Sequence, residues 1–500
     1  MTVEWALGGP DILLTLDRSA GPMRIQIQDQ LRAAIREKRV GAGERLPSTR
    51  RLAELLGVSR GTVVDVYEQL LAEGYVESEV GSGTRVAAMP AGWPVAQPSG
   101  VVATRASPLS LKPVEVDFEY GIPDLGSVPL TAWSWALSEA TRTLPTAELG
   151  DEERAGSRHL REVVTAYHRR VRSGCAVAED AVIVSGFRQG LGFVLSTLAQ
   201  GGIQQIALED PGPREHDVIA RRAGLDAVPV PVDDHGLDVD RLRATGTRAV
   251  LLTPAHQCPT GVALSPSRRR DLVAWADEVD GVILEDDYDA EFRYDRQPVG
   301  SLQGLNSTRV IALGSVSKTL APAIRLGWVL APARFMAGIV EEKRLSSRGA
   351  PGLDQEALAL LMETGRFDRH LRRVREVYRA RRDVLAAEVE HAFGPGRLQG
   401  LAAGCHALLR LPKGTSERAV EATAASMGVR VNGLGHYRLV ASDSEVEPEP
   451  RPPALVLGFG NVSEAQISKG VRKLAEAVRH QTENQIVRAN SEPELYPVPD

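Results

Sequence analysis

Between residues 180 and 330, five short apolar runs recur, several rich in β-branched residues: Val182-Ile183-Val184, Ile206-Ala207-Leu208, Ala249-Val250-Leu251-Leu252, Val282-Ile283-Leu284 and Val310-Ile311-Ala312-Leu313. Stretches of helical pattern separate them. This alternation predicts a mostly parallel sheet covered by helices on both faces, because parallel strands need long crossovers and are buried on both sides. In an open sheet of this kind, ligands sit beyond the carboxyl ends of the strands. Chemistry is therefore expected just after each apolar run.

Four of the five runs meet that expectation. The first leads into Ser185-Gly186-Phe187-Arg188-Gln189-Gly190, a glycine turn opening a helix whose free amides can hold a phosphate. The third leads into Thr253-Pro254-Ala255-His256-Gln257-Cys258-Pro259-Thr260-Gly261, and the fourth into Glu285-Asp286-Asp287-Tyr288. The fifth leads into Gly314-Ser315-Val316-Ser317-Lys318, with Arg325 seven residues on. A lysine in a partly dry site becomes a neutral amine more easily and can condense with an aldehyde. A phosphorylated pyridine aldehyde needs donors for its phosphate, a carboxylate for its ring nitrogen, a hydroxyl near its phenolic oxygen and an amine for its carbonyl. All four are present. Singly each has a plainer reading, since a lysine after a strand is usually a solvated end and an acidic pair usually a cap.

The bulk properties set the frame. Five hundred residues favour two to four domains. A net charge of −6 does not advertise a nucleic-acid or membrane partner, although averaging hides local faces. No segment is apolar enough to span a bilayer, and the first residues lack the pattern of a signal peptide. Cys175, Cys258 and Cys405 are far apart and lie outside any histidine cluster in sequence, against a disulfide framework or a zinc site. A reducing cytoplasm fits this usage, and no metal is expected.

Residues 87–115 are rich in Pro, Ala, Ser and Gly without periodicity and read as a linker; an extended arm packed on a neighbouring domain suits the prolines equally. Before it, Ile27, Leu31, Ala34 and Ile35 recur at helical spacing. A second helix opens at Pro47-Ser48 and ends near Gly57, and a third runs from an N-cap at Ser59 to Gly74. Tyr75-Val76-Glu77-Ser78 and Thr84-Arg85-Val86 flank a glycine-rich tip, as in a hairpin. The pattern is a winged helix-turn-helix whose third helix presents Arg60, Gly61 and Thr62 to a groove. Charge adds little, since residues 22–86 hold ten Lys/Arg against nine Asp/Glu, a net of +1. A three-helix protein-interaction module with a solvated arginine face fits the same pattern.

The residues also carry resemblances. Leu46-Pro47-Ser48-Thr49-Arg50-Arg51-Leu52-Ala53, with Gly57-Val58-Ser59-Arg60-Gly61-Thr62-Val63, resembles the DNA-binding domain of GntR-family transcriptional regulators. That implies a DNA interface at Ser48, Arg50, Ser59, Arg60, Thr62 and Gly83. Residues 116–480 resemble fold-type I pyridoxal-phosphate enzymes, the class I aminotransferases. The resemblance implies that Lys318 forms the internal aldimine, Asp286 pairs with the pyridinium nitrogen, and Tyr288 bonds the phenolic oxygen. Ser315, Arg325 and the backbone at Gly186 and Phe187 would hold the phosphate, with Ser317 in the same cofactor-binding group.

Three departures from that pattern stand out. Cys258 replaces the asparagine before Pro-Thr-Gly, and Pro213 replaces the aromatic stacking residue after Asp-Pro-Gly. Leu455-Val456-Leu457-Gly458-Phe459 lacks the arginine that binds a substrate carboxylate, leaving Arg214, Arg430 and Arg438 as candidates.

The fusion resembles MocR/GabR-type regulators over nearly the whole chain. It implies a winged helix at 12–86, a linker at 87–115, an α/β aminotransferase-like domain at 116–482 with a smaller α+β C-terminal subdomain, and a head-to-tail homodimer. The implied function is regulation at a double-stranded DNA operator, responsive to pyridoxal phosphate or an amino compound through internal and external aldimines, without full catalytic turnover; a working aminotransferase with an accessory DNA-binding domain is the alternative. Residues 483–500 lack apolar periodicity and are expected to form a disordered or loosely docked tail.

Overall fold

The computed structural model describes residues 2–3, 14–79, 83–88, 114–150, 154–294, 299–347, 349–400, 402–439 and 452–489. The chain forms two compact units, residues 1–109 and 110–500. Most of the predicted linker, the wing tip at Gly81-Ser82 and the tail beyond 489 lie outside the described residues.

In the first unit, α1 (Met23–Arg36), α2 (Thr49–Leu56) and α3 (Arg60–Ala72) precede antiparallel hairpin strands Val76–Glu79 and Gly83–Val86. The caps follow from the residues. Ser48 Oγ accepts the Arg51 amide at 3.2 Å, and Ser59 Oγ accepts the Thr62 amide at 3.1 Å, so each serine satisfies an amide left open at a helix start. Gly57 ends α2 in the left-handed region, φ 63°, which a side chain disfavours. Ile27, Leu31, Leu52, Leu56, Val63, Val66 and Leu70 form the core, and Tyr67 Oη donates to the Pro47 carbonyl at 2.9 Å, tying α3 to the start of α2.

The second unit is built on an eight-stranded sheet. Its strands are β1 (Ala181–Val184), β2 (Gln205–Asp210), β3 (Asp226–Asp233), β4 (Gly236–Leu237), β5 (Ala249–Leu252), β6 (Val282–Asp287), β7 (Val310–Ser315) and β8 (Gly327–Leu330). The order in space is β1-β8-β7-β6-β5-β2-β3-β4. Apart from the reversed β8 and the short edge strand β4, the strands run the same way, as the apolar runs predict. The carboxyl ends of β1, β2, β5, β6 and β7 therefore open on one edge. A smaller antiparallel sheet holds His406–Arg410 and Ala454–Gly458, the expected C-terminal subdomain. Among the described residues no helix is long and apolar enough to cross a membrane.

One boundary differs from expectation. The last helix spans Glu464–Ala489, past the predicted tail start at 483. Thr482 to Ala489 contains neither glycine nor proline, so nothing local stops the helix, and apolar periodicity is not needed to extend one already docked.

Gly327 pairs with Ser315 on one side and Val184 on the other, joining the ends of β7 and β1. A Cβ there would lie 2.7 Å from the Gly314 carbonyl oxygen and 3.1 Å from Gly186 Cα, and backbone cannot rotate away. Gly327→Ala is expected to destabilise the second unit by about 1–3 kcal/mol. Thermal melting followed by tryptophan fluorescence checks this, since the six tryptophans include Trp275 and Trp328 of this unit.

Candidate functional site

Strand alternation sorts the acidic run at the end of β6, because consecutive side chains point to opposite faces. Glu285 and Asp287 share one face with the buried Arg172, whose Nε lies 2.7 Å from Asp287 Oδ2. Asp286 takes the other face, where the Lys318 ammonium acts on it and His216 Nε2 lies 3.7 Å from its Oδ2. Burial, then the nearby Asp287 and Asp289 carboxylates, push Asp286 well above the ordinary carboxylate range, while Lys318 pulls it back. Of the three acids, Asp286 is thus the one placed to meet a ligand cation.

Lys318, half-buried, follows β7 directly and donates to the Gly121 carbonyl. Gly121 has φ +88°, and a Cβ there would stand 2.9 Å from Lys318 Nζ, so the amine's approach requires glycine. Ser315 Oγ accepts the Ser317 amide at 3.2 Å. Gly186 caps the helix α4 (Phe187–Gln200) at φ 93°, and a Cβ there would come within 3.8 Å of the Arg325 guanidinium. The open amides at Phe187 and the next residue therefore face the same space as Arg325, which has no acidic partner among the described residues. This is an anion cradle assembled from β1, α4 and the segment after β7.

Several members of this region escaped sequence reasoning. His216 stands on the helix α5 (Arg214–Arg222); burial lowers its pKa to about 4, so it meets Asp286 as a neutral imidazole, with its ring 5.6 Å from that of Phe187. Its spacing of three residues from Pro213 was the available signal. Glu209, at the end of β2, accepts the Thr253 amide at 2.9 Å and its hydroxyl at 2.7 Å, while Thr253 Oγ1 accepts the Cys258 amide at 3.1 Å. Burial lifts Glu209 to about 7 and raises the Cys258 thiol well above its usual value, so Cys258 is a neutral thiol. Tyr288 Oη donates to the His256 carbonyl at 2.8 Å and packs edge-on to Tyr120. His256, Asp289 and His406 form a buried cluster behind it.

Of the three arginines proposed for a ligand carboxylate, Arg430 is occupied by Asp117 at 3.0 Å and Glu119 at 3.2 Å, and Arg214 is exposed at the start of α5. Arg438 lies between two residues pinned to the turn after β2: Gly212 N donates to Tyr437 O at 2.8 Å and Leu439 N to Asp210 Oδ1 at 3.1 Å. Val456, in the strand where aminotransferases carry that arginine, is buried among Cys258, Leu408, Leu434 and Tyr437.

The residues expected at a DNA interface belong to the first unit. Ser48, Arg50, Ser59 and Arg60 are exposed at the starts of α2 and α3, and Thr62 is half-buried, its hydroxyl 2.8 Å from Ser59 Oγ. The Arg50 side chain is 83% exposed, with only a 3.5 Å approach to Glu54. Gly83, φ +87°, lets the Arg45 guanidinium lie against the wing, where a Cβ would be 2.9 Å from Arg45 Nε.

The donor set fits a phosphorylated pyridine aldehyde: an uncommitted guanidinium with helix amides, a buried carboxylate, a phenol and an amine around one strand edge. Asp286 also yields a prediction. Its raised pKa makes the ligand-free fold lose stability as pH rises above the ordinary aspartate value, because the folded state holds the proton that the unfolded chain releases. Asp286→Asn is expected to flatten that loss and raise the ligand-free melting temperature at pH 7, while weakening pyridoxal-phosphate binding at least tenfold. Melting curves at pH 5 and 7, with a cofactor titration, check both.

Comparison with known proteins accords with this geometry. Residues 24–86 match the family of bacterial regulatory proteins, gntR family, and residues 118–426 match aminotransferase class I and II. The chain is 32% identical to the uncharacterised HTH-type transcriptional regulator YhdI of Bacillus subtilis, over 93% of this chain and 98% of that one. It is 30% identical to the pyridoxine biosynthesis regulator PdxR of Corynebacterium glutamicum, over 91% and 95%. It is also 30% identical to the probable rhizopine catabolism regulatory protein MocR of Rhizobium meliloti, over 93% and 96%. Among solved structures, the multiple substrate aminotransferase of Thermococcus profundus superposes with a TM-score of 0.66 at 23% identity, covering 74% of this chain and 92% of that one, a likeness of fold alone. With full-length relatives of this kind, the chain belongs to the GntR family of transcriptional regulators, in the MocR/GabR-type branch that carries an aminotransferase-like domain behind its winged helix.

Proposed function

We propose that this regulator senses pyridoxal phosphate, alone or with an amino compound, in the aminotransferase-like unit, and that occupancy there changes its affinity for a DNA operator. One observation carries the reading: Lys318, Asp286, Tyr288, Gly186 and Arg325 gather at a single sheet edge in a chain that also carries a winged helix. A bound cofactor would supply an aldehyde, and the Lys318 amine is the group that would hold it.

The chain's own groups do the rest. Arg325 and the amides at Gly186 and Phe187, with Ser315 and Ser317, bind the phosphate. Asp286, costly to ionise in the empty site, is the carboxyl that would face the ring nitrogen of a bound cofactor and could share its own proton with it. Neutral His216 and the Glu209–Thr253 bonds orient these groups, and Tyr288 supplies a hydroxyl. The run Leu455-Val456-Leu457-Gly458-Phe459 and Cys258 weigh against turnover of ordinary α-amino acids, since the first holds no charge for their carboxylate and the second lacks an amide donor. An effector amine bearing an acid group would meet Arg438. The name of PdxR, a pyridoxine biosynthesis regulator, favours the vitamin itself as a signal.

An effector changes DNA affinity only to the extent that it binds one arrangement of the molecule better than another. A homodimer that pairs two winged helices on one operator fits this linkage. Purified protein should take up pyridoxal phosphate with a visible absorbance band, and Lys318→Ala should lose both the band and any effect of the cofactor on operator binding. Robust multiple turnover of amino donors and keto acids without operator binding overturns the regulator reading. Arg50→Ala and Arg60→Ala should each weaken binding to promoter DNA about tenfold without changing melting, and should reduce its salt slope by about one for each phosphate no longer neutralised. Gel shifts at several salt concentrations check this.

A further inference from the structure

The buried cluster behind Tyr288 is unusual for a packed core. Asp289 and His256 have side chains only 1% exposed, with His256 Nδ1 2.9 Å from Asp289 Oδ2. A buried carboxylate needs a donor, and among the described residues the imidazole supplies that hydrogen bond. The Nδ1 proton therefore points to Asp289, with the longer approach of Tyr288 Oη as a second, weaker acceptor, which fixes the tautomer and the ring plane. Tyr288 Oη lies 3.3 Å from the same nitrogen and gives its own proton to the His256 carbonyl at 2.8 Å. Tyr288 is thus held at one residue by two contacts.

Other groups close the cluster. The His406 ring lies 4.5 Å from that of His256 and 4.8 Å from that of Tyr120, and its nitrogens have no partner in hydrogen-bond geometry, although the Gln257 and Pro259 backbone acts on the ring. Burial keeps His406 neutral, and burial with the field of Asp289 keeps Tyr288 protonated. Cys405 and Cys258 are neutral thiols beside them, and Lys318 is the facing cation. Gly404, φ +64°, lets the chain pass where a Cβ would be 2.3 Å from both Asp289 Oδ2 and His256 Cε1, so the pair is clamped.

We propose that His256, oriented by Asp289, is a positioning residue that holds Tyr288 as the hydroxyl donor to the cofactor's phenolic oxygen and so replaces the amide donor that Cys258 cannot supply. The proposal rests on the vitamin B6 site described above. An anionic oxygen is a stronger acceptor than a carbonyl, so a bound phenolate draws the Tyr288 proton away from the His256 carbonyl, while the Nδ1 contact keeps the ring in place. Donors to that oxygen favour its deprotonated form.

The test is a pH titration of the visible band of the full-length protein loaded with pyridoxal phosphate. His256→Phe should raise the band's protonation midpoint by about one unit, and Tyr288→Phe should do the same. The double variant should shift no further than either single one, because the two residues act as one unit. Cys258→Asn placed in the His256→Phe background should bring the midpoint back, a rescue that a merely structural role does not give. An unmoved midpoint in His256→Phe, or shifts that add with Tyr288→Phe, overturns the proposal. If His256→Phe does not fold, the wild-type chain still decides: with 15N-histidine labelling, the low-field N–H resonance of the His256–Asp289 pair should move on loading, and an unchanged resonance overturns the idea. Stoichiometric zinc removable by a chelator also overturns it, since two imidazoles and a carboxylate are a metal donor set. A wild-type protein with no band sinks the cofactor site itself, whereas a normal band that His256→Phe leaves unmoved sinks this inference alone.

Discussion

Asp286 is a carboxylate kept almost free of water at the end of a central strand, and much of the second unit follows from the need to tolerate it. An isolated buried charge is expensive, so the group stays protonated until a cation arrives. Neutral His216 approaches on one side and Lys318 acts on it from another, while Glu285 and Asp287 are turned to the opposite face and matched with Arg172. A site built this way stores a preference for a cationic group. That preference costs stability when the site is empty, which is how a binding function differs from a packing one.

The reversed strand β8 matters for the same reason. It begins at Gly327, between the ends of β7 and β1, and brings the Lys318 segment and the Gly186 turn together without a side chain between them. The anion cradle and the amine are then parts of one rigid edge. In the first unit the economy is different. Two serines satisfy helix amides, leaving Arg50 and Arg60 projecting outward from a module whose net charge is nearly zero. DNA contact there depends on placement, not on a field over the whole surface.

Much of this was legible in the chain. Lys318, Asp286, Tyr288, Ser315 and Arg325 could be found because each follows closely on an apolar run, and a parallel sheet delivers such positions to a common edge. Cap residues and the winged-helix pattern are equally local. His216, Glu209, His256, Asp289 and His406 were not found. All but His406 follow an apolar run as closely, but their roles come from pairing with one another across segments, and a buried histidine or glutamate carries no periodic signature of its own. The absence of histidine clusters in sequence suggested no metal-ligating group, yet His256 and His406, 150 positions apart, lie side by side once the two sheets pack.

Sequence by itself determined the two-part organisation, the strand-and-helix alternation and the identity of the amine and acid at the strand ends, because those depend on periodicity and on direct succession along the backbone. Tertiary structure alone decided how Glu285 and Asp287 are turned away from Asp286 and matched with Arg172, which arginine remains uncommitted, and which distant imidazole stands beside the tyrosine. Those choices depend on burial and on partners brought from far along the chain, and a low-dielectric interior makes them energetically decisive.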